Sequence, residues 1–315
     1  MSRTRVAEDY EDLRPLLFSI AYRMLAGVAE AEDIVQEAFL RYQRALDESA
    51  PIESPKAYLS AVVTRLAIDH LRSARRRKET YVGQWLPEPL LTDDAAPDGA
   101  RDAETADTLS MAFLLLLERL SPVERAVFLL HDVFDYGYGE IAEIVGRSEG
   151  NCRQLAVRAR RHVEEHKPRF EASREERERL AARFFDAIGE GDMDGLVELL
   201  AADVVVYGDG GGKVTSWPQP IVGRERVARL LLGLGRQAAG LGVAFRRAEV
   251  NGQPGALFLA PDGRLINVWT LEIADGGVQT LRSVINPDKL RHLGPIADVG
   301  ALVHGRASGG SAGGR

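Results

Sequence analysis

The chain has 315 residues, 45% hydrophobic and 28% charged, enough for two or three soluble domains that each bury a core. Its one cysteine, Cys152, excludes an internal disulfide and a cysteine-based zinc site. The net charge of −7 speaks against nucleic acid only as an average: residues 56–78 hold seven Lys/Arg against one Asp, 147–169 seven against three Glu, and 79–118 one Arg against nine Asp/Glu.

The opening MSRTRVAEDYEDLR has no apolar core of the kind a signal peptide needs, and Leu114–Leu117 runs directly into Glu118 and Arg119. The expectation is a cytoplasmic protein without a membrane partner. From residue 8 to 78 the periodicity is helical. Ile34, Ala38 and Tyr42 form one stripe and Asp33, Glu37, Arg41 and Arg44 another. Ser54-Pro55 starts a further helix, with Ser as N-cap and Pro at the first helical position. That helix ends in Arg72, Arg75, Arg76, Arg77 and Lys78, more cations than a helix dipole calls for, and phosphate binding accounts for them better. Thr64, Arg65 and Asp69, one to two turns earlier, are placed to approach bases.

Residues 79–106 combine prolines with carboxylates and read as an acidic linker. The island WLPEPL (85–90) is too apolar for a spacer, so Trp85 is expected to dock. A second helical module covers 107–167, opened by a capping box at Ser121-Pro122-Val123-Glu124. Within it Tyr138–Arg161 reads as a helix-turn-helix. Gly146 ends the first helix, Ser148 caps the second, and Cys152, Ala156, Ala159 and Val163 make a buried seam. Asn151, Arg153, Gln154 and Arg158 then face outward toward a major groove, with Arg160 and Arg161 on phosphates.

At Ser173 the grammar changes. A capped helix carries Leu180, Phe184, Phe185 and Ile188 inward, and five β-rich runs follow at 203–208, 243–250, 256–260, 265–273 and 278–285. Pro261-Asp262-Gly263 and Asp275-Gly276-Gly277 read as hairpin turns, so 174–293 is expected to be an α+β domain with an antiparallel meander. Residues 294–315 are Gly/Ser-rich and read as a disordered tail.

Three segments together, AEDIVQEAFLRYQR (31–44), PKAYLSAVVTRLAIDHLRSARR (55–76) and residues 117–160, resemble bacterial RNA polymerase sigma factors of the extracytoplasmic-function type. The resemblance implies two all-α sigma modules, region 2 over 8–78 and region 4 over 107–167. Asp33, Ile34, Val35, Gln36 and Glu37 would meet core polymerase. Thr64, Arg65, Asp69, Arg72, Arg75, Arg76 and Arg77 would engage the −10 element, and the helix-turn-helix the −35 element. Tyr58 and Thr64 stand where the family commonly has Trp and Asn.

WLPEPL, YGDGGGK (207–213) and NPDKL (286–290) are further similar to signatures of group 41, the SigJ-like factors. Their third module is a SnoaL-like domain of the nuclear-transport-factor-2 superfamily that controls sigma activity. The implied regulatory contacts are Trp85, Leu86, Pro87, Asp209, Lys213, Asn286, Pro287, Asp288 and Lys289. The partners implied are core polymerase and promoter DNA, with a small molecule in the C-terminal domain as a further one. No cofactor, metal or catalytic residue is expected. A catalytic reading would need Asp209 as base with Tyr207 as donor. A one-component regulator that senses a ligand through 174–293 is the alternative outside the sigma class.

Overall fold

The computed structural model describes residues 2–92, 107–166 and 172–302, without the side chains of 2–5, 74–79 and 166. The described residues fall into two compact units, 2–80 with 112–166, and 81–92 and 107–111 with 172–302.

In the first unit α1 (Ser2–Leu25), α2 (Val28–Asp47) and α3 (Pro55–Glu79) form the N-terminal module. Ser54 Oγ accepts from Ala57 N at 3.2 Å, as an N-cap ahead of a first-position proline should. The stripe expected on α2 is inward, with Ile34, Ala38 and Tyr42 buried, and the Tyr42 hydroxyl donates to Asp9 at 2.6 Å.

α4 (Met111–Leu117), α5 (Pro122–Phe128), a π-helical turn (Leu129–Val133), α6 (Tyr138–Val145) and α7 (Glu149–His166) form the second module. The capping box at Ser121 and Glu124 is present in both directions. Gly146 takes φ 65°, ψ 46° and lets the chain leave α6 at no Cβ penalty. The seam Cys152, Ala156, Ala159 and Val163 is buried.

The second unit contains α8 (Arg174–Glu190), α9 (Met193–Leu199), β1 (Leu200–Asp209), β2 (Ile221–Val222), α10 (Arg224–Gly240), β3 (Ala244–Val250), β4 (Gln253–Leu259), β5 (Leu265–Ala274), β6 (Gly277–Val284) and α11 (Pro287–Leu290). The sheet order is β2-β1-β6-β5-β4-β3. Phe184, Phe185, Leu196, Val204, Val206, Leu231, Trp269 and Leu281 make a core between α8, α9, α10 and one sheet face.

The expected pure meander is corrected here. β3 to β6 do form one, through the two expected turns and a third at Asn251-Gly252, but β1 pairs with β6 in parallel, with Gly208 opposite Ser283. Turn residues mark hairpins, whereas this pairing is closed by a crossover through α10 that leaves no local signal. The tail is also shorter than expected. Leu265 N donates to Pro295 O and Ala297 N to Leu265 O, both at 2.8 Å, and Ala297 is buried. Residues 303–315 lie outside the described ones.

Candidate nucleic-acid interface and linker-docking site

On α2, Asp33 and Gln36 are exposed, and Glu37 accepts from Arg41 at 2.7 Å. Ile34 and Val35 are 7% and 0% exposed, which corrects their placement among surface contacts: they hold the helix to the core. Leu40, 49% exposed and one turn beyond Gln36, joins Asp33, Gln36 and Glu37 on the outer face. The sequence reading missed it because a single leucine in an amphipathic helix is normally assigned inward.

The −10 candidates on α3 divide. Asp69 and Arg72 are exposed and pair with each other at 3.2 Å. Thr64 is fully buried, and Arg65 donates from Nε to Ile144 O (2.8 Å) and from Nη2 to Glu143 O (2.7 Å) at the end of α6. The placement of Thr64 and Arg65 as open to bases is therefore corrected: in this conformation the middle of α3 faces the helix-turn-helix module. The side chains of Arg75, Arg76 and Arg77 lie outside the described ones.

The second helix of the helix-turn-helix behaves as its pattern requires. Ser148 Oγ accepts from Asn151 N at 3.3 Å, and Asn151, Arg153, Gln154, Arg158 and Arg161 are exposed. Arg153 is braced by Glu149 at 2.6 Å and stands 5.4 Å from the Tyr138 ring centroid. Arg160 departs from expectation: it donates to Asp132 at 2.5 Å and to the Tyr138 hydroxyl at 3.4 Å, so it ties α7 to the preceding elements. Val157, 62% exposed beside Arg153, Gln154 and Arg158, adds an apolar residue to this face that the sequence reading missed. Its signal was available, since it lies off the buried seam. Cys152 sits on that seam, and burial pushes its thiol pKa up, which leaves it in the inert thiol form.

In the second unit the island WLPEPL is docked. Asp209, fully buried at the end of β1, accepts from the Tyr81 hydroxyl at 2.5 Å, from Leu86 N at 2.9 Å and from Gly211 N at 3.0 Å. It also pairs with Lys289 Nζ at 2.7 Å. Lys289 donates in addition to Leu86 O and stands 4.3 Å from the Trp85 ring and 4.9 Å from the Tyr81 ring. Burial, then the bond to Asp209, pushes the Tyr81 phenol well above its ordinary pKa.

Leu86, Pro87, Glu88 and Pro89 are buried. Asn286 caps α11 through Asp288 N, ahead of Pro287 at the first helical position, and donates to the Tyr81 hydroxyl at 2.9 Å. Lys213 pairs with Asp288. This use of Asp209 corrects the catalytic alternative: four donors occupy its carboxylate. Tyr207 lies under the Arg282 guanidinium, 5.8 Å from its ring centroid.

Gln84 Oε1 accepts from Gly208 N at 3.1 Å, and His292 meets Pro89 O at 2.8 Å. Leu91 bridges antiparallel to Val250 at the sheet edge. Asn251, at φ 55°, accepts from Leu90 N at 3.0 Å and donates to Leu109 O at 3.0 Å, so one side chain holds chain on both sides of 93–106. The expected linker is thus part of the C-terminal unit over 81–92, and its remainder, 93–106, lies outside the described residues.

Residues 9–77 match the family described as Sigma-70 region 2, 110–163 Sigma-70 region 4, and 181–285 the SnoaL-like domain. The ECF RNA polymerase sigma factor SigJ of Mycobacterium tuberculosis is 39% identical over 289 residues, covering 89% of this chain and 92% of SigJ. A probable ECF sigma factor of the same species, SigI, is 32% identical over 282 residues, covering 89% and 93%. The crystal structure of M. tuberculosis SigJ matches with a TM-score of 0.72 at 37% identity, covering 92% of this chain and all of that one. With both sigma regions, the fused SnoaL-like domain and full-length relatives in agreement, the chain belongs to the extracytoplasmic-function RNA polymerase sigma factors.

Proposed function

We propose that the chain directs transcription initiation by joining core polymerase through the outer face of α2 and reading the −10 and −35 elements through α3 and α7. Its SnoaL-like domain sets that activity by gripping the segment between the two sigma modules. The observation that carries the control is Asp209, a fully buried carboxylate spent on Tyr81, Leu86 and Lys289. A buried charge so placed is costly unless every partner is present, so docking is close to all-or-none. A domain that holds residues 81–92 decides how far the flanking modules can separate.

Run-off transcription with purified core tests this. Trp85→Ala is expected to change initiation in the full-length chain and to have no effect once 174–315 are removed. Equal activity of the variant and the parent in the full-length form rejects the control. Promoter binding without polymerase would favour a one-component regulator instead.

A second reading, ligand sensing, has its own support. On the core-facing side of the sheet, Trp269 Nε1 and Asn267 Oδ1 are buried without a hydrogen-bond partner among the described residues, and Phe258 lies 4.5 Å from the Trp269 ring. One donor and one acceptor among aromatic walls suit a small neutral polar molecule. A thermal-shift screen of such compounds tests it: a hit should lose its shift in Trp269→Phe, and no hit sinks the reading.

A further inference from the structure

We propose that the helix-facing side of the sheet in the C-terminal unit takes an uncharged aryl hydroxyketone, and that its occupancy tightens the grip on residues 81–92 through the ends of β1 and β6. The proposal rests on the ligand-sensing reading above, and adds to it the chemical class of the ligand and the route to the docked segment.

The strand register puts Phe245, Phe258, Asn267, Trp269, Ser283 and Gly208 on one face across five strands. It is the face covered by α8 and α10, since Trp269 belongs to their common core. The row is open at the sheet edge, where Phe245 is 40% exposed, and closed at Trp269 and Ser283, which are buried. Phe185, Phe245, Phe258 and Trp269 make a continuous run of rings, with centroids 5.6, 6.0 and 4.5 Å apart in that order. A further flat ring stacks readily on such a run. Every side chain of the row is uncharged, so a carboxylate or ammonium ligand would find no counter-charge in it. Two polar atoms are unspent. Trp269 Nε1 can only donate and Asn267 Oδ1 can only accept, and neither has a partner among the described residues. Asn267 Nδ2 is already turned to Ser283 Oγ at 3.4 Å. A ketone oxygen answers the indole N–H, and a hydroxyl answers the carboxamide oxygen.

The route follows from strand alternation. The residue after Gly208 is Asp209, which grips Tyr81, Leu86 and Lys289 on the opposite face. Gly208 has no slack on the ligand side: a Cβ there would lie 2.5 Å from both Ser216 Oγ and the Trp217 ring. Its N–H donates to Gln84 of the docked segment at 3.1 Å. On the neighbouring strand Ser283 lies opposite Gly208, and just beyond it Ile285 N and Asn286 N both donate to Asp209 O, at 2.9 and 3.0 Å. The same two strand ends are therefore the floor of the ligand site on one face and the clasp for 81–92 on the other. A ligand that needs these ends in register favours the docked state, and docking favours the ligand by the same factor.

Calorimetric titration of the full-length chain with 6-hydroxy-1-tetralone tests the site, and hydrogen-exchange mass spectrometry of peptides within 81–92 tests the coupling. The probe should bind, and 1-tetralone, which lacks the hydroxyl, should bind about fivefold to tenfold more weakly. Trp269→Phe keeps a ring and loses the N–H donor, and should weaken the probe by a similar factor. Saturating probe should slow exchange within 81–92 about fivefold. Tyr81→Phe, which touches only the clasp, should weaken probe binding about as much. Circular dichroism checks that each variant folds, and Trp85→Ala replaces Tyr81→Phe if that one does not. No binding of the probe, or equal affinity of the parent and Trp269→Phe, overturns the proposal, while the thermal-shift screen of other compounds decides the sensing reading by itself. Binding that depends on Trp269 but leaves exchange within 81–92 unmoved, and is indifferent to Tyr81→Phe, overturns the coupling and leaves the sensing reading standing.

Discussion

Lys289 and Asp209 meet at 2.7 Å with side chains only 8% and 0% exposed, and the ammonium also stands over two aromatic rings that belong to the segment between the sigma modules. Removing one member of such a pair strands the other charge. Asp209→Asn is therefore expected to destabilise the C-terminal unit by about 3–5 kcal/mol, and Lys289→Met by a similar amount. The double variant should recover most of the loss. Urea unfolding of the three proteins checks this, and strict additivity of the two single effects would show that the pair does not act as a unit.

Asn251 gives a second prediction. Its carboxamide joins Leu90 N and Leu109 O while its backbone holds φ 55°. Asn251→Gly keeps the backbone free to adopt that angle and loses only the side-chain bonds, at a cost of about 1–3 kcal/mol. Asn251→Ala loses both and should be worse. Proteolysis within 81–92 should quicken in the same order, and equal cutting of parent and both variants would contradict the role.

A third prediction concerns pH. The folded pKa of Tyr81 lies above the ordinary phenol value of ~10, so the folded state holds the phenol proton more tightly than the unfolded one. This contribution is fully present below pH ~10 and is lost as pH rises through the folded pKa. Docking of 81–92 should hold up to pH ~10 and weaken above it. Phenolate absorbance should show one tyrosine that titrates late, missing from Tyr81→Phe.

Much of this was legible in the sequence for reasons of range. Ser121, Gly146 and the Cys152 seam announce themselves because caps and helical faces are decided by residues a few positions apart. WLPEPL announced a docking site because apolar residues in an acidic stretch must be covered. Its acceptor could be named only through the resemblance, since Asp209 and Lys289 are 80 residues apart in the chain. Arg65 was read as free for DNA because its partners are main-chain carbonyls, and a carbonyl has no letter in the sequence. The parallel pairing of β1 with β6 escaped for the same reason: register between distant strands is written in packing, not in turn residues.

The exposed face of α7 allows a fourth prediction in which neighbouring residues behave differently. Gln154 is exposed and has the donor and acceptor needed for a bidentate contact to adenine, so Gln154→Ala should cost about 1–3 kcal/mol at one base pair and relax preference there. Arg161 lies further along and, among the described residues, pairs only with exposed Glu165 at 2.9 Å, an arrangement a phosphate readily replaces. Arg161→Ala should weaken binding of all sequences alike and lower the salt dependence by about one released counterion. Arg160→Ala, which loses the bonds to Asp132 and Tyr138, should instead lower the stability of the helix-turn-helix module. Binding of the polymerase complex to promoter variants at several salt concentrations separates the three. A uniform loss across bases in Gln154→Ala, or a base-specific loss in Arg161→Ala, would reverse the assignment of α7 positions to bases and backbone.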